Sequence, residues 1–256
     1  MIRACFFDID GTLLSHVQGR VPPDAREALL ALKASGVKLF TATGRHILEI
    51  RDLPVYGLPF DGYVTLNGQL GLDARERRLF GYPVAGEALR AAIDAFETRA
   101  RPIQLWQKER VSVNLVNDRV RRVQTTISTP VPPLADYDGG EVYQITAFAD
   151  EAEARGLMAR LPGCKLTRWH EEAADLFFDN GGKVAGIAQM LRLHRLSKEE
   201  IIAFGDGDND VGMLTFAGVG VAMGNAQEVA KRAADYVTAD IDEGGVVQAL
   251  RRFGLL

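Results

Sequence analysis

Short, almost wholly apolar runs alternate along this chain with stretches whose apolar residues recur at helical spacing. The opening run Ile2-Arg3-Ala4-Cys5-Phe6-Phe7 is rich in β-formers. It predicts a buried strand of a parallel sheet, because both its faces need covering. Residues 23–35 then carry Ala25, Ala28, Leu29 and Leu32 on one helical stripe, and Gly36 ends it. A second strand is predicted over 37–42, closed by Thr43-Gly44-Arg45, and a short helix follows. The third strand, 62–66, ends at Asn67-Gly68, a tight-turn signal between two β-like runs, so a β-hairpin is expected up to about Tyr82.

The texture changes at Pro83. A helix is predicted over 86–99 with Leu89, Ile93 and Phe96 on one stripe, then strands over 103–107 and 110–115 around a Lys108-Glu109 turn. Next come a helix over 118–127, a Pro-rich loop over 129–133, a strand over 142–148, a helix over 151–160, and strands over 165–169 and 176–178. This order reads as α+β with antiparallel strands. Strand–helix alternation returns with a helix over 183–193 and a strand over 201–204. A helix through Met213 and Leu214, a strand over 219–222, a helix near 229–233, a strand at Tyr236-Val237 and a final helix complete it. The pattern predicts one α/β domain formed by 1–82 and 182–256, split by an inserted α+β domain, 83–181. The α/β domain reads as a doubly wound parallel sheet.

Composition narrows the class. The chain has 256 residues, 47% hydrophobic and 25% charged, with a formal net charge of −4. A core of ordinary size is expected, with no nucleic-acid footprint and no basic membrane patch. The basic cluster Arg119, Arg121 and Arg122 reads as a solvated helix face. Cys5 and Cys164 read as reduced core residues rather than a disulfide or a metal pair. No signal-peptide pattern and no bilayer-length apolar run are evident, so a cytoplasmic protein is expected.

Four polar clusters fall where a strand gives way to a loop or where a helix starts: Asp8/Asp10/Thr12, Thr43-Gly44-Arg45, Lys183, and the run from Asp206 to Asp210. In a doubly wound sheet such positions share one edge, at the carboxyl ends of the strands. Asp8 and Asp10 alone could be an exposed acidic turn. Beside the other clusters they form a carboxylate-rich set with the Thr12 and Thr43 hydroxyls, one lysine and one asparagine. Carboxylate oxygens suit Mg²⁺, which binds one or two of them together with a substrate phosphate. Lysine is a point-charge phosphate ligand, and Thr43 with the backbone N–H groups after it can cradle phosphate oxygens. No run matches a nucleotide P-loop, since Lys183 precedes Val184 rather than Ser or Thr.

On these residues the chain resembles the haloacid dehalogenase superfamily of hydrolases. Asp8-Ile9-Asp10-Gly11-Thr12 matches its first motif, Thr43 the second, Lys183 the third, and Gly205-Asp206-Gly207-Asp208-Asn209-Asp210 the fourth. The insertion is similar to the α+β type C2B cap of the Cof-type subfamily IIB, which includes bacterial hexose-phosphate phosphatases. The resemblance extends to Asn67-Gly68 and to the run Gly220-Val221-Ala222-Met223-Gly224-Asn225. It implies a Rossmann-like core and a Mg²⁺-dependent phosphatase acting on small phosphorylated metabolites, above all sugar phosphates, as a monomer or weak homo-oligomer. It makes Asp8 the nucleophile that forms an aspartyl-phosphate and Asp10 the acid and then base. Mg²⁺ is assigned to the Asp8 side chain, the Asp10 carbonyl and Asp206, with Asp210 one layer further out, orienting Lys183. Thr43, Gly44, Arg45, Lys183 and Asn209 are assigned to phosphate or substrate.

Several positions carry a plainer reading. Asp208 reads mainly as a loop carboxylate. Arg45 reads equally as a phosphate contact or as a surface residue at a helix start. Trp169 reads first as cap core packing, although a Trp169-His170 pair could meet a sugar. Two other functions share much of this inventory: a phosphomutase, which returns the phosphoryl group to substrate, and a non-enzymatic phospho-acceptor, for which the built-in acid/base Asp10 would be useless.

Overall fold

The computed structural model describes residues 1–127, 129–180 and 182–256. Residue 181, at the expected domain boundary, lies outside the described residues. The chain divides into two compact units, Met1–Phe80 with Gly181–Leu256, and Gly81–Asn180. In chain order the elements begin with β1 Ala4–Phe7, α1 Pro23–Ala34, β2 Lys38–Ala42, α2 Ile47–Ile50, β3 Gly62–Thr65, β4 Leu70–Asp73 and β5 Arg78–Gly81. The second unit supplies α3 Gly86–Glu97, β6 Ile103–Trp106, β7 Val111–Val113, α4 Asp118–Thr126, β8 Gln144–Ala147, α5 Glu151–Met158, β9 Cys164–His170 and β10 Ala173–Phe178. The chain then returns through α6 Lys183–His194, β11 Ile201–Gly205, α7 Val211–Phe216, β12 Val219–Ala222, α8 Glu228–Ala233, β13 Tyr236–Val237 and α9 Gly245–Arg252.

Among the described residues the first unit builds an eight-stranded sheet in the order β13-β12-β11-β1-β2-β3-β4-β5. The opening strand lies inside it, parallel to both neighbours, with Phe6 opposite Phe40 and Phe7 opposite Phe204. Each of these ring pairs stacks with centroids 4.8 Å apart. Successive strand residues face opposite sides, and all four residues of β1 are buried, so both faces are covered. One helix group joins α1 to β2 and α9, and another joins α6 to β2, β3 and α7, with α8 on α7. The fold is the expected α/β type: a doubly wound sheet, parallel from β13 to β3.

Beyond β3 the sheet turns antiparallel, as the Asn67-Gly68 signal predicts. The turn is not a two-residue hairpin. Leu66, Asn67 and Gly68 form a 3-10 turn, and all three have positive φ (51°, 53° and 91°).

The inserted unit carries a five-stranded sheet in the order β7-β6-β8-β10-β9, with antiparallel neighbours throughout. Ile103, Leu105, Ile145 and Leu176 share one core with Ala88, Ala92 and Phe96 of α3 and Ala154 and Leu157 of α5. The α3 contact is made largely through small residues, leaving Leu89 and Ile93 only partly buried. Trp169 overturns the core-packing expectation. On the edge strand β9, Arg168 and His170 pair with the consecutive residues Ala174 and Ala173, so Trp169 sits at a bulge, 39% exposed. The α4 arginines are not merely solvated: Arg119 reaches Glu153 at 2.6 Å and Arg122 reaches Glu172 at 2.7 Å. Cys5 and Cys164 are free, and burial pushes both thiols up. No helix among the described residues is long and apolar enough to cross a membrane.

Candidate active site

β1, β2 and β11 run parallel as neighbours, so their carboxyl ends lie on one edge. Asp8 follows β1, Thr43 follows β2 and Asp206 follows β11. Residues far apart in the chain therefore meet there. Lys183, the first residue of α6, is 3% exposed and donates to Asp8 Oδ1 at 2.7 Å and to Asp210 Oδ1 at 2.6 Å. Thr12 Oγ1 donates to Asp206 Oδ1 at 3.0 Å.

Two close approaches shape this cluster. Gly11 has φ +75°, and a Cβ built on it would lie 2.3 Å from Asp206 Oδ2. Only glycine allows the turn after Asp10 to press against Asp206. Gly68 has φ +91°, and its Cβ would lie 2.1 Å from the Gly182 carbonyl oxygen. The turn that ends β3 is therefore the seat for the start of α6, which puts Lys183 in place.

Asp8, Asp206 and Asp210 offer carboxylate oxygens all within 4.8 Å of one another. Asp210 has both oxygens engaged: Oδ1 by Lys183, Oδ2 by the backbone N–H groups of Asp206 and Gly207 at 2.9 Å each. It ties the fourth-motif loop together. Burial pushes the Asp8 carboxyl well up; Lys183 opposes that, while Asp210, Asp206 and Asp10 add to it. Burial and the Asp210 charge push Asp206 up to about 7 against the Thr12 bond and Lys183. Lys183 feels burial in the opposite sense, but the Asp210 and Asp8 charges outweigh it and hold its pKa above the ordinary value. With all groups ionised, Asp8, Asp10, Asp206 and Asp210 set four negative charges against the two positive ones of Lys183 and Arg45, and Arg45 is shared with Glu49 at 3.8 Å. A hard divalent cation fits that deficit and that all-oxygen donor set.

Of the other predicted residues, Thr43 is 1% exposed and its Oγ1 accepts from the Arg45 N–H at 3.1 Å, across Gly44. Asn209 Nδ2 donates to Asn67 Oδ1 at 3.3 Å. Asp208 is exposed and outside the carboxylate cluster. Arg45 is not a surface residue: its side chain is 13% exposed and grips both oxygens of Asp10, Nε to Oδ2 at 2.6 Å and Nη2 to Oδ1 at 2.7 Å.

Sequence reasoning left two asparagines without a structural role. Asn67, read as a turn residue and as part of the resemblance, is buried, and its N–H donates to the Thr43 carbonyl at 2.9 Å. Asn225 donates to the Gly11 carbonyl at 2.8 Å and accepts from the Ile241 N–H at 3.0 Å, pinning the turn beside Asp10. The signal for both was the resemblance, which extends to Asn67-Gly68 and to the run ending at Asn225, but it carried no role for either side chain.

A sequence profile of haloacid dehalogenase-like hydrolases matches residues 5–250. YkrA of Bacillus subtilis (strain 168) is 29% identical, over 99% of this chain and 98% of its own. Among solved structures, the haloalkanoate-superfamily phosphatase BT1666 of Bacteroides thetaiotaomicron superimposes with a TM-score of 0.90 at 32% identity, over 100% of this chain and 96% of its own. The subclass IIB sugar phosphatase BT4131 does so with a TM-score of 0.87 at 36% identity, over 99% and 100%. With the ordered motifs, the sheet and the split connectivity all in agreement, the chain belongs to the haloacid dehalogenase-like hydrolases.

Proposed function

We propose that this enzyme is a Mg²⁺-dependent phosphatase of small phosphorylated metabolites, with sugar phosphates such as hexose phosphates as its main substrate class. The observation that carries the reading is Asp8 held by buried Lys183 beside Asp206, with Asp10 two residues away on the same tight turn. The likeness to a subclass IIB sugar phosphatase along nearly the whole chain supports the substrate class.

In this reading an Asp8 carboxylate oxygen attacks phosphorus, and the bond from phosphorus to the ester oxygen breaks as Asp10 gives that oxygen a proton. The product alcohol leaves and an aspartyl-phosphate remains, so one hard displacement becomes two easier ones. Asp10, now a carboxylate, takes a proton from water as that water attacks phosphorus, and Asp8 is released with inorganic phosphate. Lys183 and Thr43 bind the phosphoryl oxygens, with the backbone at Gly44 alongside, and Asn209, braced by Asn67, reaches the substrate. Asp210 keeps Lys183 aimed. Asp8, the Asp10 carbonyl and Asp206 would hold Mg²⁺, whose charge neutralises the phosphate and the carboxylates together.

Phosphate release measured over a panel of sugar phosphates and nucleotides, with and without Mg²⁺, tests the proposal. We expect release to require Mg²⁺, to favour sugar phosphates and to fall at least about 10⁴-fold in Asp8→Asn. Interconversion of hexose 1- and 6-phosphates without net phosphate release would replace hydrolysis by phosphoryl return. Full activity in Asp8→Asn would remove the nucleophile assignment.

A further inference from the structure

Arg45 stands next to the phosphate-side residues in sequence, yet its guanidinium is committed elsewhere. Both short contacts go to Asp10, Nε to Oδ2 at 2.6 Å and Nη2 to Oδ1 at 2.7 Å. The residue is held from two further sides. Its N–H donates to Thr43 Oγ1 at 3.1 Å, and its Nη1 lies 3.8 Å from Glu49 Oε1. Glu49 is itself fixed, because its Oε2 accepts the His46 N–H at 2.9 Å at the start of α2. A planar fork on a carboxylate fixes the direction of the acceptor as well as its charge. It uses one lone pair on each oxygen, so the second site of either oxygen stays free to carry the proton that Asp10 donates. The Asp10 side chain is 28% exposed, so it lacks a tight shell of core atoms to fix its rotamer.

We propose that Arg45 is a positioning residue that aims the Asp10 carboxyl at the leaving-group oxygen, and not a ligand of the phosphoryl group. The proposal rests on the assignment of Asp10 as proton donor to that oxygen. Binding phosphate through the same two nitrogens would release Asp10 at the moment its direction matters. Misplacing a reacting group by about 1 Å can cost about 10²-fold in rate, within the 10²–10⁴-fold that a general acid contributes.

The test compares a poor leaving group with a good one. kcat/KM, which reports the steps through departure of the alcohol, would be measured for glucose 6-phosphate and for p-nitrophenyl phosphate. The enzymes would be wild type, Arg45→Met, Arg45→Lys, Asp10→Asn and the Arg45→Met/Asp10→Asn double variant. The alkoxide needs a proton as it leaves and nitrophenolate needs it far less. We expect Arg45→Met to lower kcat/KM about 10²-fold or more for the sugar phosphate, with a loss at least about tenfold smaller for the nitrophenyl ester. Arg45→Lys, which keeps the charge but loses the fork, should share that pattern. Inhibition by inorganic phosphate should be unchanged in both, and Arg45→Met should add almost nothing to Asp10→Asn. Equal losses on both substrates with weakened phosphate inhibition would overturn the proposal and make Arg45 a phosphate ligand. Restoration of wild-type values by Arg45→Lys would also overturn it, because charge alone would then suffice. If Asp10→Asn itself showed no leaving-group preference, the acid assignment would fall first and the role of Arg45 with it.

Discussion

Lys183 lies between two buried carboxylates, and among the described residues neither has another ammonium partner. Its pKa is raised in the folded protein, so its stabilising contribution is fully present below the ordinary lysine value and is lost only as pH rises through the raised one. At neutral pH the whole contribution is in force. Replacing Lys183 by Met leaves Asp8 and Asp210 as like charges in a buried site, and breaking such a pair costs about 3–5 kcal/mol. Urea titrations at pH 8 should show a loss of that size. The deficit should shrink toward pH 5, because burial and neighbouring carboxylates already push Asp8 upward and protonation relieves the repulsion. A variant as stable as wild type at pH 8 would remove Lys183 from its structural role.

The seat between β3 and α6 belongs to the scale of elements. Gly68→Ala must either move the Gly182 carbonyl or spoil the positive φ that ends β3. Gly36, with φ +88° and open space around its Cβ position, separates the two costs. Gly36→Ala should lose only the left-handed penalty of about 1–2 kcal/mol. Gly68→Ala should lose a further 1–3 kcal/mol or so from overpacking, and should lower kcat because α6 carries Lys183 away with it. Equal melting curves for the two variants would show that the close approach is not tight. This element also shows what the sequence could convey. Asn67-Gly68 announced a turn, since turn chemistry is local, but its use as a platform for a helix 115 residues later depends on packing, which leaves no local trace. Asp8, Thr43 and Asp206 were legible because polarity changes abruptly where the strands end, and Lys183 because it opens a helix just after a glycine. The Arg45–Asp10 grip and the Asn225 tie were not, because partners across the chain carry no spacing signal. Trp169 was misread because a large aromatic in a β run looks like core, whereas Leu166 takes the core face of β9 and alternation sets Trp169 on the other.

For the molecule as a whole, the carboxylate excess links folding, pH and metal. Asp206 is pushed up to about 7, far above its ordinary value, so the folded metal-free protein holds a proton there that the unfolded chain gives up. That advantage is complete below the ordinary carboxyl value and vanishes as pH rises through about 7. The metal-free protein should therefore melt at a lower temperature at pH 8 than at pH 5. A fixed Mg²⁺ concentration should raise the melting temperature more at pH 8 than at pH 6, because proton and cation compete for the same oxygens. Below pH 7 the apparent Mg²⁺ affinity should fall by up to about tenfold per unit. A Mg²⁺ effect independent of pH would exclude Asp206 as a ligand.

The position of β1 also has a consequence in time. It leaves the ribosome well before one of its two neighbours, β11, and the Thr12–Asp206 bond spans 194 residues. At about 5–20 residues per second, that flank waits roughly 10–40 s for its partner. During that interval a wholly apolar strand presents an unpaired edge, a template for intermolecular pairing. Synthesis of this protein should thus pass through a chaperone-dependent window that closes only when β11 emerges, and no nascent fragment ending before Asp206 can display the finished acidic cluster.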